Sequence, residues 1–279
     1  LEMQYDKISD KLSILQSKMD INPNSTLHLK EYIQLLEEQK KIHDKLIQQK
    51  KDIANVYVSD LQKYGFTFDK NGDISNLEQN LNKYKDSENV EKVNQLVDEY
   101  IDLQRGDIPD LEKEWEEINK EIYDQKDALE ELERVQSLAI YINKIKELSN
   151  EYDKLSDELD IIDVKLKHAH GKEKLDLLDQ QIKKLEEQKN KQQEIIDQHK
   201  KLAMAQKESL IKYGIEFDAS GDITNLDEVL NSYKSSPELE KIESLIDEYI
   251  STQRDELPDA IKGWEELESA IKDALKEQL

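Results

Sequence analysis

One stretch of the chain occurs twice, first as Tyr64-Gly65-Phe66-Thr67-Phe68-Asp69-Lys70-Asn71-Gly72-Asp73-Ile74-Ser75-Asn76-Leu77 and again as Tyr213-Gly214-Ile215-Glu216-Phe217-Asp218-Ala219-Ser220-Gly221-Asp222-Ile223-Thr224-Asn225-Leu226. Tyr64 aligns with Tyr213, which is an offset of 149 positions. The alignment continues without a gap over residues 61–124 and 210–273, where about half of the residues are identical. The chain therefore contains an internal repeat, and this stretch marks each copy.

Each copy of the stretch predicts a small β-hairpin or hairpin-like loop. Phe66 and Phe68 alternate with Thr67, and Ile74 follows on the far side of a turn in which Gly72 can take a positive φ. Short helices should follow the hairpin, with a cap at Ser75 or Asn76 and another at Ser87. We expect the repeated stretch to form a compact tip.

Outside the tips, the composition predicts long helices. Charged residues make up 37% of the 279 positions and hydrophobic residues 36%, and the chain has only seven glycines and four prolines. Such a mixture is typical of helices whose narrow apolar stripes pack against partner helices. Breaks fall near Pro23 and Gly171, and helices are expected to restart at Pro109 and Pro258.

These patterns together predict an all-α fold of two tandem units, in which long antiparallel coiled-coil helices form a spectrin-like rod. Unit 1 should cover residues 1–149 with its tip at 65–107, and unit 2 should cover residues 150–279 with its tip at 214–256. The helix before each tip should pack against the helix after it. The residues expected to build the tips and their junctions with the helices are Tyr64, Gly65, Phe68, Gly72, Trp115, Tyr213, Gly214, Phe217, Gly221 and Trp264.

The turns of the two tips also invite a calcium hypothesis, because oxygen-bearing side chains occur at alternate positions. The candidate ligands are Asp69, Asn71 and Asp73 in the first tip and Asp218, Ser220 and Asp222 in the second. The spacing differs from that of an EF-hand loop, since glycine is fourth rather than sixth and Asn80 stands at the twelfth position. A carboxylate that caps its own turn explains the same residues, and this interpretation is the favoured one.

Charge and motif content narrow the classes of function. A net charge of −24 disfavours nucleic acid or an anionic membrane as a partner, because both require clustered cations. The chain lacks a phosphate-binding glycine loop, and its paired glutamates are expected on solvated helix faces rather than in a catalytic pocket. We therefore expect no enzymatic activity and no cofactor, with other protein chains, identical or different, as partners.

The repeated stretch resembles repeats in phage tail tape measure proteins of Gram-positive hosts. The resemblance rests on residues 64–77 and 213–226, which share a tyrosine-glycine pair, a Phe-Asp turn with a glycine, and an Ile-x-Asn segment. It implies a structural protein of a tail or prophage particle, found in the virion tail or in the host cytoplasm during assembly. The negative charge and the absence of long apolar segments depart from the membrane-active regions of that family and imply a soluble central piece.

An alternative from another class is a bacterial surface or secreted coiled-coil binding module, similar to an adhesin, whose tips bind a ligand or calcium. The apolar stripes fit an intramolecular hairpin as well as a parallel bundle of separate chains. The sequence therefore leaves the oligomeric state open.

Overall fold

The computed structural model describes residues 1–278, apart from the side chain of residue 2. The chain divides into two compact units, Leu1–Glu133 and Arg134–Leu279. The division falls inside the helix Ile108–Leu166. The boundary predicted at 149/150 lies further along the chain and describes the sequence repeat rather than the packing units. In the described residues, the extended structure consists of two isolated bridges, so the predicted all-α class is confirmed.

The helices follow one another closely along the chain. They are α1 (Glu2–Ile21), α2 (Thr26–Lys63), α3 (Leu77–Tyr84), α4 (Val90–Asp102), a π-helical segment π1 (Leu103–Asp107), α5 (Ile108–Leu166), α6 (Lys172–Ile211), α7 (Leu226–Ser232), α8 (Leu239–Ser251), a second π-helical segment π2 (Thr252–Glu256), and α9 (Leu257–Gln278). Ser25 caps α2, since its hydroxyl accepts a hydrogen bond from the backbone N–H of His28. The two caps predicted after the first hairpin are not formed, since Asn76 precedes α3 without a side-chain capping bond and α4 begins after Asn89 rather than Ser87.

Three helical segments pack together in unit 1. They are α1, α2 and residues 108–133 of α5, and their shared apolar core consists of Ile8, Leu12, Leu36, Ile118 and Ile122. Ion pairs show that α2 runs antiparallel to α5, because the partner's number falls as the α2 number rises: Lys30–Glu133, Glu37–Lys126 and Lys51–Glu112. The predicted pairing of the helix before a tip with the helix after it holds in this unit.

Unit 2 repeats this arrangement with residues 134–166 of α5, with α6 and with α9. Its core contains Leu159, Ile182, Leu185, Leu267 and Ala274. Lys191 pairs with Glu151 at 2.9 Å and Lys184 pairs with Glu158 at 2.9 Å, so α6 runs antiparallel to this part of α5. Each unit is thus a bundle of three antiparallel helical segments.

One polar contact recurs inside both bundles. Gln39 donates to Ser9 Oγ at 3.1 Å in unit 1, and Gln188 donates to Ser156 Oγ at 2.6 Å in unit 2. Both glutamines are buried. A buried amide that must find its hydroxyl partner restricts the register in which the two helices can pack.

The helices α5 and α9 begin at Ile108 and Leu257, so Pro109 and Pro258 lie in their first turns as predicted, but the break expected before each of them is absent. The chain is helical without a break from Val90 to Leu166, passing through π1 just before Pro109, and it does the same through π2 before Pro258. Proline has no N–H to donate and crowds the carbonyl four residues earlier. In π1 the N–H of Ile108 bonds to the carbonyl of Leu103, five residues back, and such widened turns relieve that conflict without ending the helix.

Candidate functional site

The repeated stretch forms a small hairpin at the tip of each unit. Phe68 and Ile74 form an antiparallel bridge, and Ser75 N–H donates to the Thr67 carbonyl at 2.8 Å. In unit 2 the bridge joins Phe217 and Ile223. The predicted hairpin-like loop is therefore present in both copies.

An aspartate organises the turn of each hairpin. Asp69 Oδ1 accepts hydrogen bonds from the N–H groups of Asn71 at 2.8 Å and Asp73 at 2.9 Å. Gly72 has a φ of 86°, which favours glycine because a side chain is strained there. The candidate calcium ligand Asp69 thus uses its carboxylate to hold its own turn.

The second turn has the same geometry with one additional bond. Asp218 Oδ1 accepts from the N–H groups of Ser220 and Asp222, each at 2.9 Å, and from the Ser220 hydroxyl at 2.7 Å. These bonds, the hydroxyl first, lower the pKa of Asp218, because they stabilise the ionised carboxylate.

An asparagine ties the base of each hairpin together. Asn76 Oδ1 accepts from Thr67 N–H at 2.9 Å, and its Nδ2 donates to the Gly65 carbonyl at 3.0 Å. Asn225 makes the same two bonds to Glu216 and Gly214, both at 2.8 Å. Both hydrogen-bonding ends of the amide are used, so replacement of this residue would leave backbone groups without their partner.

Helix α4 in unit 1 and helix α8 in unit 2 fasten the hairpin from the side. The Tyr100 hydroxyl donates to the Gly72 carbonyl, and in the second tip Tyr249 donates to Gly221 at 2.5 Å. Burial, and then the nearby aspartates of the turn, raise the pKa of both tyrosines. Each phenol therefore stays protonated and able to donate at neutral pH.

Two further side chains reach the turn from the π-helical segment. Gln104 donates to the Asn71 carbonyl at 3.2 Å, and Arg105 Nη2 lies 2.9 Å from Asp73 Oδ1. Gln253 and Arg254 repeat both contacts in unit 2. The π-helical segment places consecutive residues on the turn, so the recurring Gln-Arg pair serves tip packing.

Aromatic packing closes the tip core. Phe66 is buried with Val93, Val97 and Tyr100, and the ring of Phe68 meets Tyr100 edge-on with centroids 5.3 Å apart. In the second tip, the equivalent pair of Phe217 and Tyr249 lies at 5.1 Å. Tyr64 and Tyr84 also pack edge-on, as do Tyr213 and Tyr233.

The two tryptophans that were expected at the junctions lie on the bundle helices. Trp264 packs against the cluster that contains Leu148 and Ala260, and Lys189 Nζ lies 4.1 Å from its ring centroid. Trp115 has Lys40 Nζ at 4.4 Å from its centroid. Each indole therefore stacks under a lysine of the helix that precedes the tip.

Unit 2 also contains an apolar groove of about 580 Å³, lined by α5, α6 and the region of α8 and π2. Gln206 and His199 are buried in its wall, and Gln206 Oε1 has no hydrogen-bond partner in the described part of the chain. Burial lowers the pKa of His199, although Glu256 Oε2, 3.3 Å from Nδ1, acts in the opposite direction. The histidine is therefore neutral at neutral pH.

Among residues 1–278, no group of three or more histidine, cysteine, aspartate or glutamate side chains could hold a metal ion. Within the same residues, no helix is long and apolar enough to cross a membrane.

Sequence reasoning missed the roles of Tyr100 and Tyr249. Both belong to the run Asp-Glu-Tyr-Ile, which is identical in the two repeats at 98–101 and 247–250. The identity of this run in both repeats was the sequence feature that could have pointed to a role for the two tyrosines.

Comparison with models of protein families, with curated proteins and with solved structures gives no match. Function has to be inferred from the residues of the chain themselves.

Proposed function

We propose that the protein is a non-enzymatic structural spacer built from two spectrin-like helical units. The proposal rests on one observation, which is that the polar side chains shared by the two tips form hydrogen bonds within their own tip. The aspartate, asparagine, tyrosine, glutamine and arginine of each tip bond to the tip itself, and the same set does so twice. Side chains used in this way keep a shape, which is what a spacer requires.

The biological setting that we propose is a phage tail tape measure protein or its prophage homologue. Support comes from the resemblance of residues 64–77 and 213–226 to the repeats of that family. The mechanism would be geometric, because each residue of an α-helix adds about 1.5 Å and the number of units sets a length. The assembled chain would act through other proteins of the particle.

Mass and shape measured together test the spacer proposal. Light scattering coupled to small-angle X-ray scattering should report a monomer whose maximum dimension exceeds that of a single unit. A parallel trimer would show that the helical stripes serve contacts between chains, and a compact particle would contradict a spacer role.

The alternative, an adhesin-like module with calcium-binding tips, has one observation in its favour. The turn residues Asp69, Asn71 and Asp73 lie close together, and the first two are exposed. Thermal unfolding should separate the two functions. The spacer proposal expects the same unfolding midpoint in calcium and in magnesium at equal ionic strength, whereas a midpoint raised by calcium and restored by Asp69→Asn with Asp218→Asn would support calcium binding.

A further inference from the structure

The turn of the first tip contains a chemically reactive pair that the second tip lacks. Asn71-Gly72 is the only Asn-Gly pair in the sequence, and Ser220-Gly221 stands at the aligned position of the second tip. The side-chain amide of an asparagine can react with the backbone nitrogen of the next residue. Glycine allows this reaction most readily, because it has no Cβ to hinder the approach and its backbone turns freely.

The reaction has two steps and needs only water. First, the Gly72 nitrogen forms a bond to Cγ of Asn71 and loses its proton, and the side-chain nitrogen leaves as ammonia. Water then opens the resulting succinimide ring at one of its two carbonyl carbons. Opening at the former side-chain carbon gives aspartate, whereas opening at the backbone carbon gives isoaspartate, in which the backbone runs through the former side chain. One water is consumed and one ammonia is released, without oxidation or reduction.

The peptide group between Asn71 and Gly72 is held on both sides in the closed turn. Gly72 N–H donates to the Asp69 carbonyl at 3.1 Å, and the Asn71 carbonyl accepts from Gln104 Nε2 at 3.2 Å. The Tyr100 hydroxyl donates to the Gly72 carbonyl. These bonds fix the attacking nitrogen in the turn, so the closed tip protects the pair.

The same turn is exposed to solvent. Asn71 and Asp69 are both exposed, and none of residues 69–73 is buried. Segments that have few buried contacts open locally more often than the packed core of a protein. An open turn releases the Gly72 nitrogen, and water reaches the ring that then forms.

We propose that Asn71 is a site of spontaneous modification, which is converted through a succinimide to aspartate and isoaspartate when the first tip opens. The rate follows the fraction of time that the turn is open. The hydrogen bond from Tyr100 therefore controls the modification as well as the shape of the tip. This inference stands independently of the proposed function, and it distinguishes one unit of the repeat from the other.

The isoaspartate product should prevent the first tip from closing again. Asp69 Oδ1 accepts from the N–H groups of Asn71 and Asp73 at 2.8 and 2.9 Å. Isoaspartate adds one carbon to the backbone between these two N–H groups, so a single oxygen no longer fits both. The modification thus changes the first tip permanently and leaves the second tip as it is.

Incubation of the full chain at neutral pH, followed by proteolysis and mass spectrometry, tests the proposal. The fragment that contains position 71 should gain the mass difference between an amide and a carboxylic acid, and electron-transfer fragmentation identifies the isoaspartate. A synthetic peptide of residues 64–77 has no Tyr100 or Gln104 to hold its turn. It should react about tenfold faster or more than the full chain, because its turn is open most of the time.

Variants of the two tyrosines link the reaction to the tip. Tyr100→Phe keeps the ring but removes the bond to Gly72, and it should speed the modification of the full chain by about twofold to tenfold. Tyr249→Phe makes the same change in the second tip and should leave the rate at Asn71 as it is in the unmodified chain. Circular dichroism checks that both variants keep their helicity.

The second tip supplies a further test. Ser220→Asn places an asparagine before Gly221 in a turn of the same geometry, so a second site of modification should appear there. The converse change, Asn71→Ser, should abolish the modification of the first tip and leave its fold intact, since serine occupies this position in the other repeat.

Three results would overturn the proposal. Equal rates in the full chain and in the peptide would show that the closed tip gives no protection. An unmodified Asn71 in the Tyr100→Phe variant would show that opening of the turn does not lead to reaction. Equal acceleration at Asn71 by Tyr100→Phe and Tyr249→Phe would assign the reaction to unfolding of the whole chain rather than to the first tip.

Discussion

Two glycines of unit 1 should respond in opposite ways to replacement by alanine. Gly72 has a φ of 86°, and a Cβ there would lie 3.2 Å from the Tyr100 hydroxyl oxygen and 2.9 Å from Gln104 Nε2. Gly106 lies in π1, with no atom within 4 Å of the Cβ that it lacks. We predict that Gly72→Ala lowers the free energy of unfolding by about 1–2 kcal/mol, because an L side chain is strained at that φ.

Gly106→Ala is the matched control for this change. It should leave the free energy of unfolding unchanged or raise it by about 0.5–1 kcal/mol, because alanine loses less conformational freedom than glycine when a helix forms. Urea unfolding measures both variants. Equal effects at the two positions would contradict the role assigned to the turn.

Burial of His199 makes stability depend on pH. The folded state lowers the pKa of His199, chiefly by burial, from a reference value of 6.5. As the pH falls below about 6.5, the unfolded chain binds a proton that the folded chain does not, so the free energy of unfolding falls. We predict that His199→Gln reduces this loss, as measured by urea unfolding at about pH 7.5 and about pH 5.5.

The exposed His170 supplies the control for the pH prediction. His170→Gln should leave the pH dependence as it is in the unmodified chain. If both variants gave the same slope, burial of His199 would not be its cause.

At the scale of single residues, local sequence patterns predicted the turn of each hairpin but not the tyrosine hydrogen bonds that hold the turn in place. Gly72 and Asp69 act on neighbours within four residues, so their roles could be inferred from the stretch itself. Tyr100 acts on a carbonyl 28 residues away, and no local pattern specifies that contact. For the same reason, Asn76 was predicted as a helix cap, whereas its side chain makes no capping bond and its amide ties the hairpin instead.

At the scale of the helices, the buried serine–glutamine pair offers a test of packing. Gln188 is 3% exposed, and its Nε2 lies 2.6 Å from Ser156 Oγ. We predict that Ser156→Ala lowers the free energy of unfolding by about 1–3 kcal/mol, because a buried amide loses its acceptor. Chemical denaturation measures the change.

The pair can also be removed as a whole. Ser156→Ala combined with Gln188→Leu should recover most of the loss, since no buried polar group is then left unsatisfied. Ser17→Ala on the exposed side of α1 is the control and should have little effect. A double variant as unstable as Ser156→Ala would show that packing, rather than hydrogen bonding, sets the cost.

Proline correctly marks where α5 and α9 begin, but the break expected before each of them is absent for a physical reason. The rule that proline begins a helix assumes that the preceding turn is not helical. In this chain, α4 continues through π1 into α5, and the wider turn accommodates Pro109. Only the hydrogen-bond pattern distinguishes a helix start from a π-helical segment, and sequence spacing does not report it.

At the scale of the whole chain, the repeat predicted the antiparallel pairs on either side of each tip. The packing of α1 on α2 was not predicted, because α1 lies outside the gap-free repeat of residues 61–124 from which the helix pairs were inferred. The buried contact between Ser9 and Gln39 selects this partner, and it joins residues 30 positions apart.

Net charge governs the response of the whole chain to salt. With 64 acidic and 40 basic residues, the folded state concentrates negative charge. We predict that raising sodium chloride from about 0.01 M to about 0.1 M raises the free energy of unfolding, because the screening length falls from about 30 Å to about 10 Å. Exposed ion pairs weaken at the same time, but each contributes at most about 1 kcal/mol.

Potassium chloride should have the same effect as sodium chloride, since screening does not depend on the identity of the cation. Thermal or urea unfolding at several salt concentrations measures the response. A fall in stability with salt would show that the ion pairs between helices outweigh the repulsion.

The bond from Tyr100 to Gly72 also has a kinetic consequence. It spans 28 residues, whereas the contact of His43 with the Leu111 carbonyl between the bundle helices spans 68. Closing a shorter loop costs less entropy, and local contacts form sooner. On a chain emerging from the ribosome, each tip can close before the helix that follows it is complete. The helices on either side of the tip then pair from the tip outward. Because the same tip contact occurs in both repeats, both should assemble in this order.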